Sequence, residues 1–376
     1  MEEENEPIVI DNGSGLLKAG FAGDDAPKCI FPTIIGRPIG TGVLVGMDQK
    51  DCYVGSEAVS KKSVLKIDEP VQQGVIVNYE DMTKIWSHLM NNELRVAPDE
   101  HKMMISEPPR NPKPNREKLV NIMFNEFSVQ RMYVSIQAVL SLFASGKTTG
   151  TVVDCGDGIS HTVPIYEGYA IPHAIIKINL AGRDLNDYLL GLLLQRGYSF
   201  SSSSSNKDEI KKIKETKCYV AQDFDAEMKA AAEQTTIESY YKLPSGEQIP
   251  LSTERIKCPE FLFQPQHGSK EMDGIHKHTF DSIMKCDNDI KRDLFKGIVL
   301  AGGSTMFEGM KDRMKKEIQA LAPSPMGPEV EAPADRKFSC WLGGSILSKL
   351  SSFNHMWITK MEFEEVGEAI VHRKCF

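Results

Sequence analysis

Three short apolar runs in this chain each break into a glycine-rich turn: IVIDNGSG at residues 8–15, TVVDCGDG at 151–158 and IVLAGGST at 298–305. Each run predicts a buried strand feeding a tight turn. The first two share one pattern, three apolar residues, Asp, any residue, Gly, any residue, Gly, so that Asp11 and Asp154 occupy equivalent places. That repetition points to one structural unit used twice. Between the turns lie helical stripes. Met82, Ile85, Trp86, Leu89 and Met90 form one, with Asn78 placed to cap it and Asp81 at its positive end; Met310, Met314, Ile318 and Leu321 form another. Strands alternating with helices predict an α/β chain, and duplication predicts two similar lobes with a cleft between them. A length of 376 residues suits two or three domains rather than a single core.

With 41% hydrophobic and 26% charged residues the composition is that of an ordinary globular chain. Lys and Arg number 44 against 52 Asp and Glu, and the net charge of −8 argues against nucleic acid as the main partner. The start, MEEENEP, has neither a basic region nor an apolar core, and no uncharged apolar run approaches the roughly 20 residues that span a bilayer. The expectation is a protein that is neither secreted nor membrane-bound. Cys29, Cys52, Cys155, Cys218, Cys258, Cys286, Cys340 and Cys375 form no CxxC pair and have no histidine at zinc-finger spacing. Reduced thiols in a cytosolic or nuclear compartment are expected, without structural zinc. The serine run Ser201 to Ser205 and the Pro-rich stretch Pro323 to Pro333 read as surface connections.

A glycine-rich turn after a strand exposes successive backbone N–H groups, a positive nest that suits phosphate oxygens. Two such turns, Gly13 to Gly15 and Gly156 to Gly158, suit a polyphosphate gripped from both sides. Asp11, Asp154 and Asp157 repel phosphate directly and become sensible when Mg2+ or an attacking water intervenes. The expected ligand is therefore a magnesium nucleotide. Either turn alone reads as a plain tight turn; the duplicated pair behind apolar strands reverses that preference. Lys18 is either a point charge toward phosphate or a solvated lysine. The third turn lacks an aspartate, which suits the neutral end of the ligand, and Met306 and Phe307 pack either on a base or in the core.

The segments DNGSGLLKAGFAGDDAP, NPKPNREK, DCGDGISHTVPIYEGYAIPHAI, LAGRDL, DGIH, MKCD, AGGSTMFEGM and MWITK, with the terminal HRKCF, resemble the actin family from end to end. The resemblance implies the two-lobed ATPase fold shared with sugar kinases and the seventy-kilodalton heat-shock chaperones, with four subdomains around a nucleotide cleft. Their expected boundaries are 1–32, 70–144 and 339–376; 33–69; 145–180 and 271–338; and 181–270. It implies ATP or ADP with Mg2+ or Ca2+, slow hydrolysis in the monomer and faster hydrolysis in a filament. Gly13, Ser14, Gly15, Leu16 and Lys18 match the family's first phosphate loop, and Gly156, Asp157, Gly158 and Ile159 the second. Asp11 and Asp154 match positions around the metal, mainly through water, and Gln137 with His161 those that arrange the attacking water. Around the adenosine, Gly182, Lys211, Lys214, Glu215, Gly302, Gly303, Ser304, Met306, Phe307 and Lys337 stand where the family's binding residues do. Gln137 orients water but is no strong base, so catalysis is expected to rest on positioning and charge neutralisation, with assembly bringing Gln137 toward the terminal phosphate.

Phe143, Ala144, Gly146, Thr148, Tyr169, Leu347, Leu350 and Met356 resemble the family's partner groove for regulators of the profilin, cofilin, gelsolin and myosin kinds. The acidic start, Glu2, Glu3, Glu4 and Glu6, resembles its myosin-contact tail, although a solvated tail is the default for such a charge run.

Three segments depart from the family pattern. EPVQQG carries Gln73 in place of a histidine that can be methylated, which predicts an altered phosphate-release rate. QHGSKE, residues 266–271, puts His267, Gly268, Ser269 and Lys270 where an apolar plug packs across filament strands. Each large apolar side chain left unburied forfeits roughly 1.5–3 kcal/mol, and about 1.4 kcal/mol is a tenfold change in affinity, so assembly is expected to weaken unless other contacts compensate. RPIGTGVLVGMDQKDCYVG places Gly40 and Thr41 at a tip expected to be more mobile. The leading expectation is a cytoskeletal ATPase that times its own polymerisation, localised to the cytoplasm and, as a further site, the nucleus. Its rival is a nucleotide-binding subunit of a larger complex that stays monomeric or forms only short filaments. A metabolite phosphotransferase is disfavoured, since no further base for a sugar hydroxyl stands out.

Overall fold

The computed structural model describes residues 5–39, 50–198, 204–233 and 238–375. The acidic start through Glu4, the tip with Gly40 and Thr41, and Ser201 to Ser203 lie outside the described residues. Ser204 and Ser205, expected in a loop, instead begin a helix. The chain divides into two compact units, Met1–Thr149 with Ile165–Pro172 and Phe338–Phe376, and Gly150–Pro164 with His173–Lys337.

In the first unit the run read as the first strand is β1 (Ile8–Asn12), all five residues buried, as a strand covered on both faces requires. It lies antiparallel to β2 (Leu16–Phe21) and parallel to β3 (Lys102–Glu107), which is parallel in turn to β4 (Arg131–Ile136). Strands Cys29–Pro32 and Ile358–Thr359 close the two edges of this sheet. Helix α1 (Tyr79–His88) starts where expected, because Asn78 Oδ1 accepts the Asp81 N–H at 3.1 Å. Met82, Ile85, Trp86, Leu89 and Met90 all join the core. Helix α2 (Gln137–Ala144) leaves the end of β4, and helix Ser339–Lys349 packs so closely on it that a Cβ at Gly343 would stand 1.8 Å from the Leu140 carbonyl oxygen. Only glycine allows that approach. The hairpin formed by Val71–Gln72 and Val75–Ile76 turns through Gln73 (φ 47°) and Gly74 (φ 80°), both left-handed, as the tightest hairpins demand. Its Gly74 N–H donates to Ser14 Oγ at 2.9 Å, fixing the hairpin to the first glycine turn.

In the second unit β5 (Gly150–Cys155) hydrogen-bonds β6 (Ser160–Tyr166) on one side and runs parallel to β7 (Ile298–Ala301) on the other, with β8 (Val330–Glu331) parallel beyond it. The order β6-β5-β7-β8 repeats β2-β1-β3-β4, so the duplication read from two short motifs extends to the sheets built on them. Strand β8 corrects the reading of the Pro-rich stretch as a mere connection: Val330 is buried and pairs with Ile298. Helices α3 (Gly182–Gln195), α4 (Ser204–Lys217) and α5 (Met310–Leu321) belong to this unit. Met310, Met314 and Ile318 of α5 are buried, but Leu321, expected in the same stripe, ends the helix and is 37% exposed. All eight cysteines are free thiols, and no helix among the described residues is long and apolar enough to cross a membrane.

Candidate phosphate-turn sites

The first turn leaves β1 at Asn12 and returns as β2, so Asp11 sits at the strand's end with its side chain 95% buried. Lys18, one strand across in register, donates to Asp11 Oδ2 at 2.8 Å. The lysine is therefore not simply solvated: it is the ion-pair partner of the buried acid. Ser106 Oγ, at the end of β3, donates to Asp11 Oδ1 at 2.7 Å, and Cys340 Sγ lies 3.2 Å from the same oxygen. Burial pushes the Asp11 carboxyl up, but the Lys18 charge and the hydrogen bonds from Lys18, Ser106 and Cys340 outweigh it and hold the group below its ordinary value. Gln137, the first residue of α2, has Nε2 3.3 Å from Ser106 Oγ and 3.4 Å from Asp11 Oδ1. Asp11 and Gln137, singled out separately in the sequence, thus belong to one hydrogen-bonded group. Gly13 accepts from Thr33 Oγ1 at 2.8 Å, and the Gly15 carbonyl accepts the Thr33 N–H at 3.2 Å, which shapes the turn from outside.

The second turn follows β5. Gly156 N–H donates to the Ile159 carbonyl at 3.0 Å, closing the loop over Asp157 and Gly158. Asp157 takes the Arg183 Nε–H at 2.7 Å, and the Gly156 carbonyl takes Ser304 Oγ–H at 2.7 Å and the Gly182 N–H at 3.0 Å. Lys214, buried on α4, donates to the Gly182 carbonyl at 2.9 Å. Residues of the second turn, of the third turn and of α3 and α4 therefore meet at Gly156 and Gly182. His161, on β6, is buried, and burial first and Lys177 second push its imidazole down to about 4, leaving it neutral at pH 7.

The third turn is the most constrained. Gly302 has φ 84° and ψ 153°, and a Cβ there would lie 2.3 Å from the Cys155 carbonyl oxygen and 2.4 Å from Asp154 Oδ1. Gly303 beside it is exposed, and a Cβ there would meet no atom within 4 Å. Met306 and Phe307 part company: Phe307 is buried, whereas Met306 is 36% exposed. Lys211 is partly buried, and Glu215 and Lys337 lie at the surface.

Spacing gave no hint of Ser106, Cys340 or Lys270 as neighbours of these turns. Arg183 stands inside the LAGRDL segment, but its ion pair with Asp157 has no sequence signal. In the first unit Tyr169 is 59% and Leu350 39% exposed, while Leu347 and Met356 pack partly against the core, so this group presents apolar surface anchored from beneath. Phe143 and Ala144 are partly buried, and Gly146 and Thr148 are exposed.

A nucleotide with a divalent cation fits the residues present. The Gly302 cradle admits no side chain against Asp154, and each acidic turn carries a carboxylate on a glycine-rich backbone. Two sheets of matching order, each with an acidic glycine turn after one of its inner strands, define a duplicated α/β chain. The family model for actin matches residues 2–376, and the chain belongs to the actin family. Its fold is the mixed α/β actin-type ATPase fold. Members of the family are cytoskeletal or actin-like ATP-binding proteins, generally ATPases that take ATP or ADP with a divalent cation and associate with themselves and with actin-binding partners.

Proposed function

We propose that this chain binds and hydrolyses ATP and polymerises into actin-type filaments, with hydrolysis coupled to assembly. The observation that carries the reading is the buried Asp11 group, in which Lys18, Ser106 and Gln137 surround one carboxylate at the mouth of a glycine turn. Phosphate would meet the backbone of Gly13 to Leu16 in the first unit and of Gly156 to Ile159 in the second, with Lys18 and Arg183 balancing the nearby acids. Adenosine would meet Gly182, Lys211, Lys214, Glu215, Gly302, Gly303, Ser304, Met306, Phe307 and Lys337. Asp11 and Asp154 would hold Mg2+ or Ca2+, mainly through water; when bound, the cation neutralises phosphate charge and orders water. Gln137, fixed by Ser106 and Asp11, would orient the attacking water. A neutral His161 would accept a hydrogen bond from that water at pH 7.

The four subdomains with the boundaries given above, a cytoplasmic cytoskeletal location with the nucleus as a further site, and binding of profilin-, cofilin-, gelsolin- and myosin-like partners around Phe143, Tyr169, Leu347, Leu350 and Met356 belong to the same proposal. A second reading, a nucleotide-binding subunit that stays monomeric or forms only short filaments, is favoured by one observation. In the polar 266–271 segment, Lys270 is committed to its own unit, donating to Asn179 and Asp184.

Sedimentation of the purified protein with Mg-ATP across a concentration series, following phosphate release in the same tubes, separates the two. Pelleting above a threshold with phosphate release rising in step supports the filament. ATP bound with nothing pelleting supports the subunit, and no ATP bound refutes both.

A further inference from the structure

The 266–271 segment begins in a short helical turn, Pro265–Gly268, and passes through Ser269 in a left-handed conformation, φ 61°, before reaching Lys270. Lys270 Nζ donates to the Asn179 carbonyl at 2.7 Å and to Asp184 Oδ1 at 2.5 Å. The other carboxylate oxygen, Asp184 Oδ2, accepts the N–H of Ala181, the residue that caps α3. The next two amides of that helix, of Gly182 and Arg183, donate to the carbonyls of Gly156 and Asp157 at 3.0 and 2.9 Å. The Arg183 side chain adds its bond to the Asp157 carboxylate at 2.7 Å. A continuous run of hydrogen bonds within the second unit therefore leads from Lys270 to the acidic turn.

We propose that Lys270 is a positioning residue for the second acidic turn. By clamping Asn179 and Asp184 it holds the first turn of α3 where the Gly182 and Arg183 amides fix Gly156 and Asp157. The positioning stands on the geometry alone; its consequence for ATP rests on the reading of that turn as a phosphate site.

A cation at a helix N-terminus opposes the helix dipole, so an unconstrained lysine gains nothing by settling there. Lys270 is retained because Asp184 presents one oxygen to it while the other caps the helix. An ordinary surface lysine extends its ammonium into water, whereas only 32% of this side chain is exposed. The clamp also couples two regions that the sequence left unrelated. Any contact that draws the 266–271 segment away from its own unit removes the Lys270 bonds and loosens the turn.

The test uses the full chain with Lys270→Ala, Lys270→Arg and, as a control, Lys277→Ala. The control removes a comparable ion pair, to Asp281, that does not lead to the turn. Hydrogen exchange without nucleotide is followed by mass spectrometry over residues 156–159 and 181–185, and dissociation of etheno-ATP by stopped-flow fluorescence. Lys270→Ala is expected to speed exchange in both segments about two- to fivefold and to raise the etheno-ATP off-rate by a similar factor. Lys270→Arg should restore both, and Lys277→Ala should change neither. Unchanged exchange in Lys270→Ala, or the same acceleration in Lys277→Ala, would overturn the proposal. If wild-type protein binds no etheno-ATP, the phosphate reading fails while the exchange data still decide the role of Lys270.

Discussion

Adjacent glycines in the third turn separate what the fold requires from what a ligand requires. At Gly302 a methyl group would stand 2.3 Å from the Cys155 carbonyl oxygen and 2.4 Å from Asp154 Oδ1, on a backbone at φ 84° and ψ 153°. That conformation costs about 1–3 kcal/mol for any residue with a Cβ. The overlap falls on a backbone carbonyl that cannot rotate aside, and forcing strands apart costs a further ~1–3 kcal/mol. Gly302→Ala should therefore lose about 2–6 kcal/mol, a large share of the roughly 5–15 kcal/mol that holds a typical fold. At Gly303 a methyl group would meet nothing within 4 Å, and Gly303→Ala should change stability by less than about 1 kcal/mol. Packing therefore gives no reason for glycine at 303, and under the proposed adenosine site close approach of the ligand would. Urea unfolding followed by circular dichroism, together with etheno-ATP titration, measures both quantities. Gly303→Ala should keep its stability and lose ATP affinity at least about tenfold, near 1.4 kcal/mol. Wild-type affinity in Gly303→Ala would refute the ligand argument, and equal stability of the two variants would refute the steric one.

Gln137→Ala should slow assembly-coupled phosphate release at least about tenfold while leaving the Asp11–Lys18 pair and the fold intact; an unchanged release rate in a pelleting assay counts against the water-orienting role. His161 is buried with its imidazole pushed down to about 4 against an ordinary 6.5, so between those values the unfolded chain binds the extra proton and stability falls as pH falls. His161→Gln should flatten that slope in urea titrations from pH 7 to 5, and an identical slope would refute it. Arg313 holds both oxygens of the buried Glu260 at 2.8 and 2.9 Å, so Arg313→Met should cost about 3–5 kcal/mol in urea unfolding. Because burial already raises the Glu260 carboxyl, the loss should shrink at pH 5 relative to pH 8, as the orphaned acid takes up a proton.

What the sequence disclosed was periodic or local. Alternating apolar runs and glycine turns announced the duplicated sheets because strand burial and tight turns leave their marks within eight residues. Asn78 announced the start of α1 because a cap acts three residues away. Leu321 misled for the same reason: the stripe continues in sequence while the helix stops there. The Pro-rich stretch hid β8 because an edge strand of two residues needs only Val330 to be apolar. Ser106 and Cys340 were out of reach, lying 95 and 329 residues from Asp11, brought to it by strand pairing and by a helix packed through glycine.

One difficulty visible in the sequence, acidic residues set beside a phosphate-binding nest, has its answer inside the chain. Two like unit charges about 4 Å apart repel by about 1 kcal/mol in water and about 4 kcal/mol near a protein surface, enough to cancel the attraction of a few amides. A cation from solution resolves the conflict only while it is bound. Here each turn also carries its own positive partner, Lys18 at 2.8 Å from Asp11 and Arg183 at 2.7 Å from Asp157. Pairing offsets much of each acid's charge and leaves its position intact. The two pairs differ in form. Lys18 comes from the strand hydrogen-bonded to the acid's own, a partner fixed by register, whereas Arg183 comes from the first turn of a helix. The first turn is therefore as rigid as its sheet. The second is only as rigid as the start of α3, where Asp184, Lys214 and Lys270 converge, so under the proposed phosphate site the 266–271 segment would act on the turn without touching the ligand.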